Sequence, residues 1–476
     1  MLIKHFIILC TFFTLLYTGT SRLEFTTDTM IATLLPVSLI RGKGFGLEKI
    51  YPTAYKINPS KVNDNGLPYY IIKANNRLFS VFPVFSSVIS TPIYFIPVIF
   101  KNITTDNIEA NIKLLYALGK TSASFFSAVS VGLVYLAAKE FLKTKKALLI
   151  TIFYALGTTT FSLSSQALWQ CAASQMFLSA TIYFFVKGQR SRQALPLCGL
   201  FLGFATLSRF SIAIIALLFT CYFIIFEKRW LSRFIIFALP SVIFLIWYQL
   251  TYPGNLFFYK YEGIGQIASI QNPLTGLLGL LISPNKGILI YSPIFFFSIL
   301  GIILAWIKKN RVFIFFSSTI IIYLLFIGSW SIWHGGWSYG PRTLAEITPF
   351  TTILLTPVLQ SRKIRRNYFF KVIFIIAGIL SVFIHFLGVS AANISWYVEQ
   401  TVNLNIVESQ QAKFLWNWKY PEIYHFFLRA GGFSGIAHVF AFELRLISLN
   451  LIKGFSIFLI FYLVYIWLKQ IRNKTI

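Results

Sequence analysis

Phe79-Ser-Val-Phe-Pro-Val-Phe-Ser-Ser-Val-Ile-Ser-Thr-Pro-Ile-Tyr-Phe-Ile-Pro-Val-Ile-Phe100 sets the topology of the whole chain. The stretch is apolar enough to cross a bilayer, which takes about 20 residues. Pro83, Pro92 and Pro97 argue against a span, because proline removes a backbone donor and crowds the preceding helical turn. Counting it as a span would also put the basic cluster Lys139, Lys143, Lys145 and Lys146 outside and invert everything downstream. The expectation is therefore a broken helix lying on, or dipping into, the outer leaflet. With Lys4 inside, every basic cluster then falls on the cytoplasmic side, where Lys and Arg accumulate. The other clusters are Lys187/Arg190/Arg192, Lys228/Arg229/Arg233, Lys308/Lys309/Arg311, Arg362/Lys363/Arg365/Arg366 and Lys469/Arg472/Lys474.

On either side of this stretch, apolar runs of membrane length recur from end to end. They lie near 5–20, 112–138, 147–166, 168–186, 194–208, 210–226, 231–250, 287–307, 312–330, 343–359, 369–388 and 450–468. The expected fold class is an all-α polytopic membrane protein with about twelve transmembrane helices, in a range of ten to thirteen. The chain is 57% hydrophobic, and its net charge of +28 sits in short loops between apolar runs rather than in a separate basic stripe. That placement speaks for membrane topology and against nucleic acid. Residues 1–20 read as a retained first helix, although Lys4, a short apolar core and Gly19–Ser21 also fit a cleavable leader. The four large loops, 21–111, 251–286, 331–342 and 389–449, are all expected outside, where ATP and nucleotide sugars are absent and an enzyme would need a pre-activated donor already in the membrane.

Carboxylates are scarce, 14 against 42 Lys and Arg, and only three are Asp: Asp28, Asp64 and Asp106. Asp28 comes just after the first apolar run. An acid kept at a membrane boundary is a functional candidate, because burying its charge is costly; a solvated interfacial residue is the plainer reading. Thr29–Ile40 then reads as an amphipathic helix at the interface. It leads into Arg41-Gly-Lys-Gly-Phe-Gly46, which is either a phosphate cradle or a basic turn at the headgroups.

A second segment stands out: Ser329-Trp-Ser-Ile-Trp-His-Gly-Gly-Trp-Ser-Tyr-Gly-Pro-Arg342, followed by Glu346. An aromatic belt at the interface explains Trp330 and Trp333. It explains Gly335, Gly336 and Gly340 less well, since such glycines let backbone approach a ligand. Trp333, Trp337, Tyr339 and Glu346 are the candidate substrate-binding residues, and Arg342 suits a phosphate. Lys286, in Ser283-Pro-Asn-Lys-Gly287, and Arg209, in Leu207-Ser-Arg-Phe210, are further cations at expected outer helix ends. One acid with three cations matches transfer from a phosphate-linked donor: the carboxylate takes a proton and the cations offset leaving-group charge. Cys10, Cys171, Cys198 and Cys221 and the five His form no metal motif, and no cofactor fingerprint occurs. No metal site and no cofactor are expected.

These motifs, in this order, resemble the polytopic GT-C glycosyltransferases, the broad group of lipid-A arabinosyl and protein O-mannosyl transferases. The resemblance rests on Asp28 after the first helix, on Val81-Phe-Pro-Val84 with Thr91-Pro-Ile-Tyr94, and on the Leu-Ser-Arg-Phe turn. The Ser-Pro-Asn-Lys-Gly and Trp333–Arg342 segments complete it. It covers 1–390, a GT-C-like catalytic domain that includes the first outer loop 21–111; residues 391–476 add an outer loop and a last helix to the same membrane domain. Two departures stand: Asp28 has no adjacent second acid, and Cys171 occupies a position where relatives tend to carry His. The resemblance implies inverting transfer of a sugar from a polyprenyl-phosphate donor to a glycan, lipid or protein hydroxyl, with Asp28 as base. It implies the extracytoplasmic face of a plasma or bacterial inner membrane. The rival is a lipid-linked saccharide transporter or flippase, which would more typically carry mid-membrane charges and internal repeats.

Overall fold

The structure, a computed structural model, describes residues 2–24, 26–57, 59, 66–74, 76–252, 273–403 and 412–474. Asp64, much of 251–286 and part of 389–449 lie outside the described residues. The described chain is helical apart from one antiparallel hairpin, Ile71–Ala74 paired with Arg77–Ser80 and joined through Asn76 in the left-handed region. Among the described residues, five helices are long and apolar enough to cross a membrane: Glu109–Lys139, Lys228–Thr251, Arg311–Gly328, Tyr368–Ser390 and Gly432–Ile457. Other expected spans appear as shorter apolar helices, including Leu2–Thr18, Phe210–Phe226 and Pro293–Ile307.

Three expected spans are interrupted, that over 287–307 at Ser292, where a short helix over Ile288–Tyr291 ends. The run 147–166 is helical only to Leu156; Gly157 caps that helix and a π turn follows over Thr160–Ser164. The Thr158 hydroxyl donates to the Tyr154 carbonyl at 2.6 Å, one way a freed backbone acceptor is satisfied away from water. The run 343–359 breaks into a 3-10 turn and two six-residue helices, with Pro349 at the start of one and Pro357 inside the other.

The stretch 79–100 also differs from expectation. Pro83 precedes one continuous helix, Phe85–Phe100, which keeps both Pro92 and Pro97 inside it. At 1.5 Å per residue, a helix of that length reaches about 24 Å, short of the ~30 Å hydrocarbon core. The helix Thr27–Ile40 is not the one-sided interfacial helix that the sequence suggested. Nine of its residues, Thr29 to Ser38 without Ala32, are buried, because Phe85–Phe100 and Ile112–Lys139 both cover it. Leu34, Val37, Tyr70, Tyr94, Leu115 and Tyr248 join it in a small core of their own. Arg41 ends this unit by donating to the carbonyls of Ile103 (2.7 Å) and Val98 (3.1 Å), so the Arg41–Gly46 segment is a turn tied to protein.

The last helix begins at Gly432, well before the expected 450, since nothing after Gly431 and Gly432 breaks it. It packs on Leu2–Thr18 and presents Glu443, 1% exposed, whose Oε2 accepts the Ser21 N–H at 3.0 Å. Asn450 donates to the Leu15 carbonyl at 2.6 Å. The first and last helices of the chain are thereby fastened beside the entry to the first loop.

Helix crossings are set by glycine. A Cβ on Gly199 would lie 2.0 Å from the Phe234 carbonyl oxygen, so Leu197–Ser208 touches Lys228–Thr251 backbone to backbone. Gly199→Ala is expected to cost about 1–3 kcal/mol, the usual scale for overpacking. Thermal unfolding in detergent reads this as a lowered midpoint, and an unchanged midpoint would mean the crossing yields freely.

Candidate active site

Asp28 sits in the first turn of Thr27–Ile40. Its Oδ1 accepts from the Tyr69 hydroxyl at 2.7 Å and its Oδ2 from Arg342 Nη1 at 2.6 Å. Burial, and then the Asp28 carboxylate, raise the Tyr69 phenol well above its ordinary value, so it stays protonated and donates. The side chains of Asp28 and Arg342 are each 20% exposed, which leaves the pair reachable. Two residues 314 positions apart are thus brought together.

Arg342 is delivered by a turn that only glycine allows. Gly335, Gly336 and Gly340 have φ of 74°, 73° and 66°, in the left-handed region. At Gly340 a Cβ would also stand 2.7 Å from the Tyr291 ring. The guanidinium lies over the Trp169 ring, 4.6 Å from its centroid, as arginine does on aromatic faces. Trp169 Nε1 donates to Glu24 Oε2 at 3.1 Å, and Glu24 pairs with Arg22 at 3.0 Å. Arg342 Nε is buried without a partner.

The other two cations are not open beside Arg342. Arg209 Nη1 is 2.6 Å from Oε1 of the fully buried Glu346, which also accepts from Ser174 at 3.2 Å. Lys286 is fully buried; its Nζ donates to the carbonyls of Ser338 and Gly340, the latter at 3.2 Å. Burial pushes its ammonium down to about 8, with Glu422 opposing the fall. Glu422, whose carboxyl burial raises, accepts from Tyr291 at 2.5 Å and from the Gly340 N–H at 3.2 Å. Gly340 is therefore gripped at its carbonyl by Lys286 and at its N–H by Glu422. The expectation that Arg209, Lys286 and Arg342 converge on one phosphate gives way to an arrangement in which two of them build the frame that aims the third.

The aromatic candidates also divide. Trp333 is buried, with its ring against Gly279, and the buried Tyr339 donates its hydroxyl to the Ile384 carbonyl at 2.8 Å. Both are interior, because the turn folds back over its own helices. Trp337 alone presents a face: it is 41% exposed and stacks on Tyr397 at 5.8 Å and 9°. Burial, with Lys286 and Arg342 nearby, pushes His334 down to about 3, so its neutral Nδ1 accepts the Gly336 N–H at 3.1 Å. Among the described residues, no three His, Cys, Asp or Glu gather as a metal site would require.

Residues that sequence reasoning passed over are Glu24, Trp169, Tyr69 and Glu422. Glu24 had a usable signal, a second scarce acid four positions before Asp28. Trp169 stood two positions before Cys171, itself marked as a departure from the family pattern. Glu422 had none, since its partners are far away in sequence.

Residues 121–251 match the family model described as dolichyl-phosphate-mannose-protein mannosyltransferase. This is one of the two groups that the motifs resemble, and the matched stretch carries Trp169 and Arg209 but not Asp28 or Arg342. No protein of curated function matches the chain. Among solved structures, ArnT from Cupriavidus metallidurans bound to undecaprenyl phosphate aligns at 11% identity and a TM-score of 0.48, over 94% of this chain and 77% of that one. The apo oligosaccharyltransferase of Archaeoglobus fulgidus aligns at 12% identity and a TM-score of 0.42, over 88% and 60%.

Proposed function

We propose that the chain is a membrane glycosyltransferase that moves a sugar from a polyprenyl-phosphate donor to an acceptor hydroxyl, with inversion, at the extracytoplasmic face. The observation that carries this reading is the Asp28–Arg342 pair, an accessible carboxylate and a guanidinium in contact at 2.6 Å. The description of the matched family, which names a dolichyl-phosphate sugar, fits the same donor class.

In this reaction Arg342 turns its guanidinium to the donor phosphate, and Asp28, released, faces the acceptor. The acceptor oxygen forms a bond to the anomeric carbon and passes its proton to Asp28. The bond from that carbon to the phosphate oxygen breaks, and polyprenyl phosphate leaves with the bonding electrons. Arg342 offsets the charge that grows on the phosphate, which is where fixed cations contribute most. Tyr69 holds the carboxylate in place from its other oxygen. Lys286, Glu422, Arg209 and Glu346 keep the Arg342 turn rigid, so that little has to reorganise as the charge develops. Trp337 offers its open face to a sugar ring. The membrane is a plasma or bacterial inner membrane, and the acceptor is a glycan, lipid or protein.

The test incubates purified protein with labelled polyprenyl-phosphate sugars and membrane acceptors, and follows products by mass spectrometry. A new glycosidic bond on the acceptor is the expected result. Donor that crosses a vesicle bilayer intact, with no glycosylated product, would identify a transporter instead. Trp337→Ala is expected to weaken binding of the sugar-bearing donor by about fivefold, in line with loss of an aromatic contact of roughly 1 kcal/mol. Binding of bare polyprenyl phosphate should stay unchanged; equal loss for both would remove Trp337 from sugar recognition.

A further inference from the structure

Two short helices of the C-terminal region, Ser395–Asn403 and Glu422–Arg429, bring a second set of reactive side chains together. Ser395 Oγ lies 3.0 Å from His425 Nε2. On the other side of the ring, His425 Nδ1 lies 3.3 Å from Glu399 Oε2 and 2.8 Å from the Tyr420 hydroxyl. None of these residues belongs to the site proposed for glycosyl transfer, and their chemistry is independent of that reading.

The tautomer is set by the partners. The Tyr420 hydroxyl, the nearer partner of Nδ1, is also bonded to Glu399; donating to that carboxylate, it accepts from Nδ1–H, and Nε2 presents its lone pair to the Ser395 hydroxyl. Burial holds the imidazole below its ordinary value, with Glu399 opposing, so the ring is ready to accept at neutral pH. Nucleophile, base and orienting acid stand in the order that activates a serine. A merely structural tie between the helices would not need the hydroxyl at an open position. Ser395 is only half buried, and it opens its helix, with its own N–H taken by Asn393 Oδ1 at 2.7 Å. The next amide, that of Trp396, has no acceptor within its own helix, as is general for a first turn, and lies beside the serine. Exposed Ile394, Val398, Tyr424 and Leu428 flank the reactive residues along the same two helices, an apolar rim suited to a hydrocarbon chain.

We propose that Ser395, His425 and Glu399 form a second catalytic site, which hydrolyses an acyl ester carried on an apolar chain at the membrane surface. Ser395 Oγ bonds to the ester carbonyl carbon while its proton moves to His425 Nε2. The Trp396 N–H faces the oxygen that becomes negative. The carbon–oxygen bond to the alcohol then breaks, and the alcohol takes the proton from Nε2. Water, deprotonated by the same nitrogen, bonds to the acyl carbon; the bond from that carbon to Ser395 Oγ breaks, Oγ takes the proton back from Nε2, and the carboxylic acid leaves. Ester and water are consumed, and acid and alcohol are formed. Glu399 keeps the ring oriented and balances its charge while it is protonated.

The full-length protein in detergent is incubated with an alkyl fluorophosphonate, and its peptides are mapped by mass spectrometry. A phosphonyl adduct on Ser395 is expected, formed at least about 10²-fold more slowly in His425→Gln, the scale for losing a positioned base. Because His425 is buried and replacing it can upset folding, the partly exposed Glu399→Gln serves as a second probe, with labelling slowed at least tenfold. Absence of an adduct on Ser395 overturns the proposal. So does an adduct that forms at the native rate in a folded Glu399→Gln or His425→Gln protein.

Discussion

Asp28→Asn is expected to lower turnover by about 10²-fold or more, the range for removing a general base, while leaving the amount of folded protein unchanged. The amide oxygen can still accept from Arg342 while its NH2 donates to the Tyr69 oxygen, at the places where the two carboxylate oxygens now accept at 2.6 and 2.7 Å. Local structure and donor binding should therefore survive, and the loss should fall on the chemical step. Single-turnover kinetics with saturating donor separates the two. If donor affinity collapses while the chemical step is untouched, Asp28 is an anchor for Arg342 and not a base. Asp106 is a control: it is exposed and paired with Lys49, so Asp106→Asn should be silent.

Arg342→Ala should cost about 10²–10³-fold, as expected when a fixed donor to a developing negative charge is removed. Arg342→Lys is the more telling variant. An ammonium could keep an ion pair with Asp28, but it lacks the planar fork that grips a phosphate and it stacks less well on Trp169. Activity near that of Arg342→Ala supports phosphate recognition by the guanidinium. Full recovery with lysine would mean that charge alone matters, and would move phosphate binding away from this residue.

Periodicity and hydropathy made the helices legible, because lipid leaves a chain few other choices. What they missed were places where buried protein, not lipid, surrounds the backbone. There Thr158 and Gly157 can interrupt an apolar run; Pro92, exposed, and Pro97, half-buried, stay inside a helix all the same. At the candidate site, Asp28 and Arg342 stood out from scarcity and turn chemistry. Their direct contact, and the engagement of Arg209 and Lys286 with Glu346 and with backbone carbonyls, depend on how distant segments meet. Position along the chain carries no trace of that. Glu422 makes the point most sharply: an ordinary acid at the start of a short helix, it holds the turn that carries Arg342.

The contact between Ser21 and Glu443 bears on how the protein is made. The two residues are 422 positions apart. At roughly 5–20 residues per second, the ribosome reaches the second about 20–85 s after the first. Throughout that interval the strap leading to Glu24 and Asp28 lacks its far anchor. A nascent chain arrested before residue 443 has inserted most of its helices but lacks the contact that ties Ser21 to the last of them. Truncated products left in the bilayer would lack this tie at the entry to the first loop.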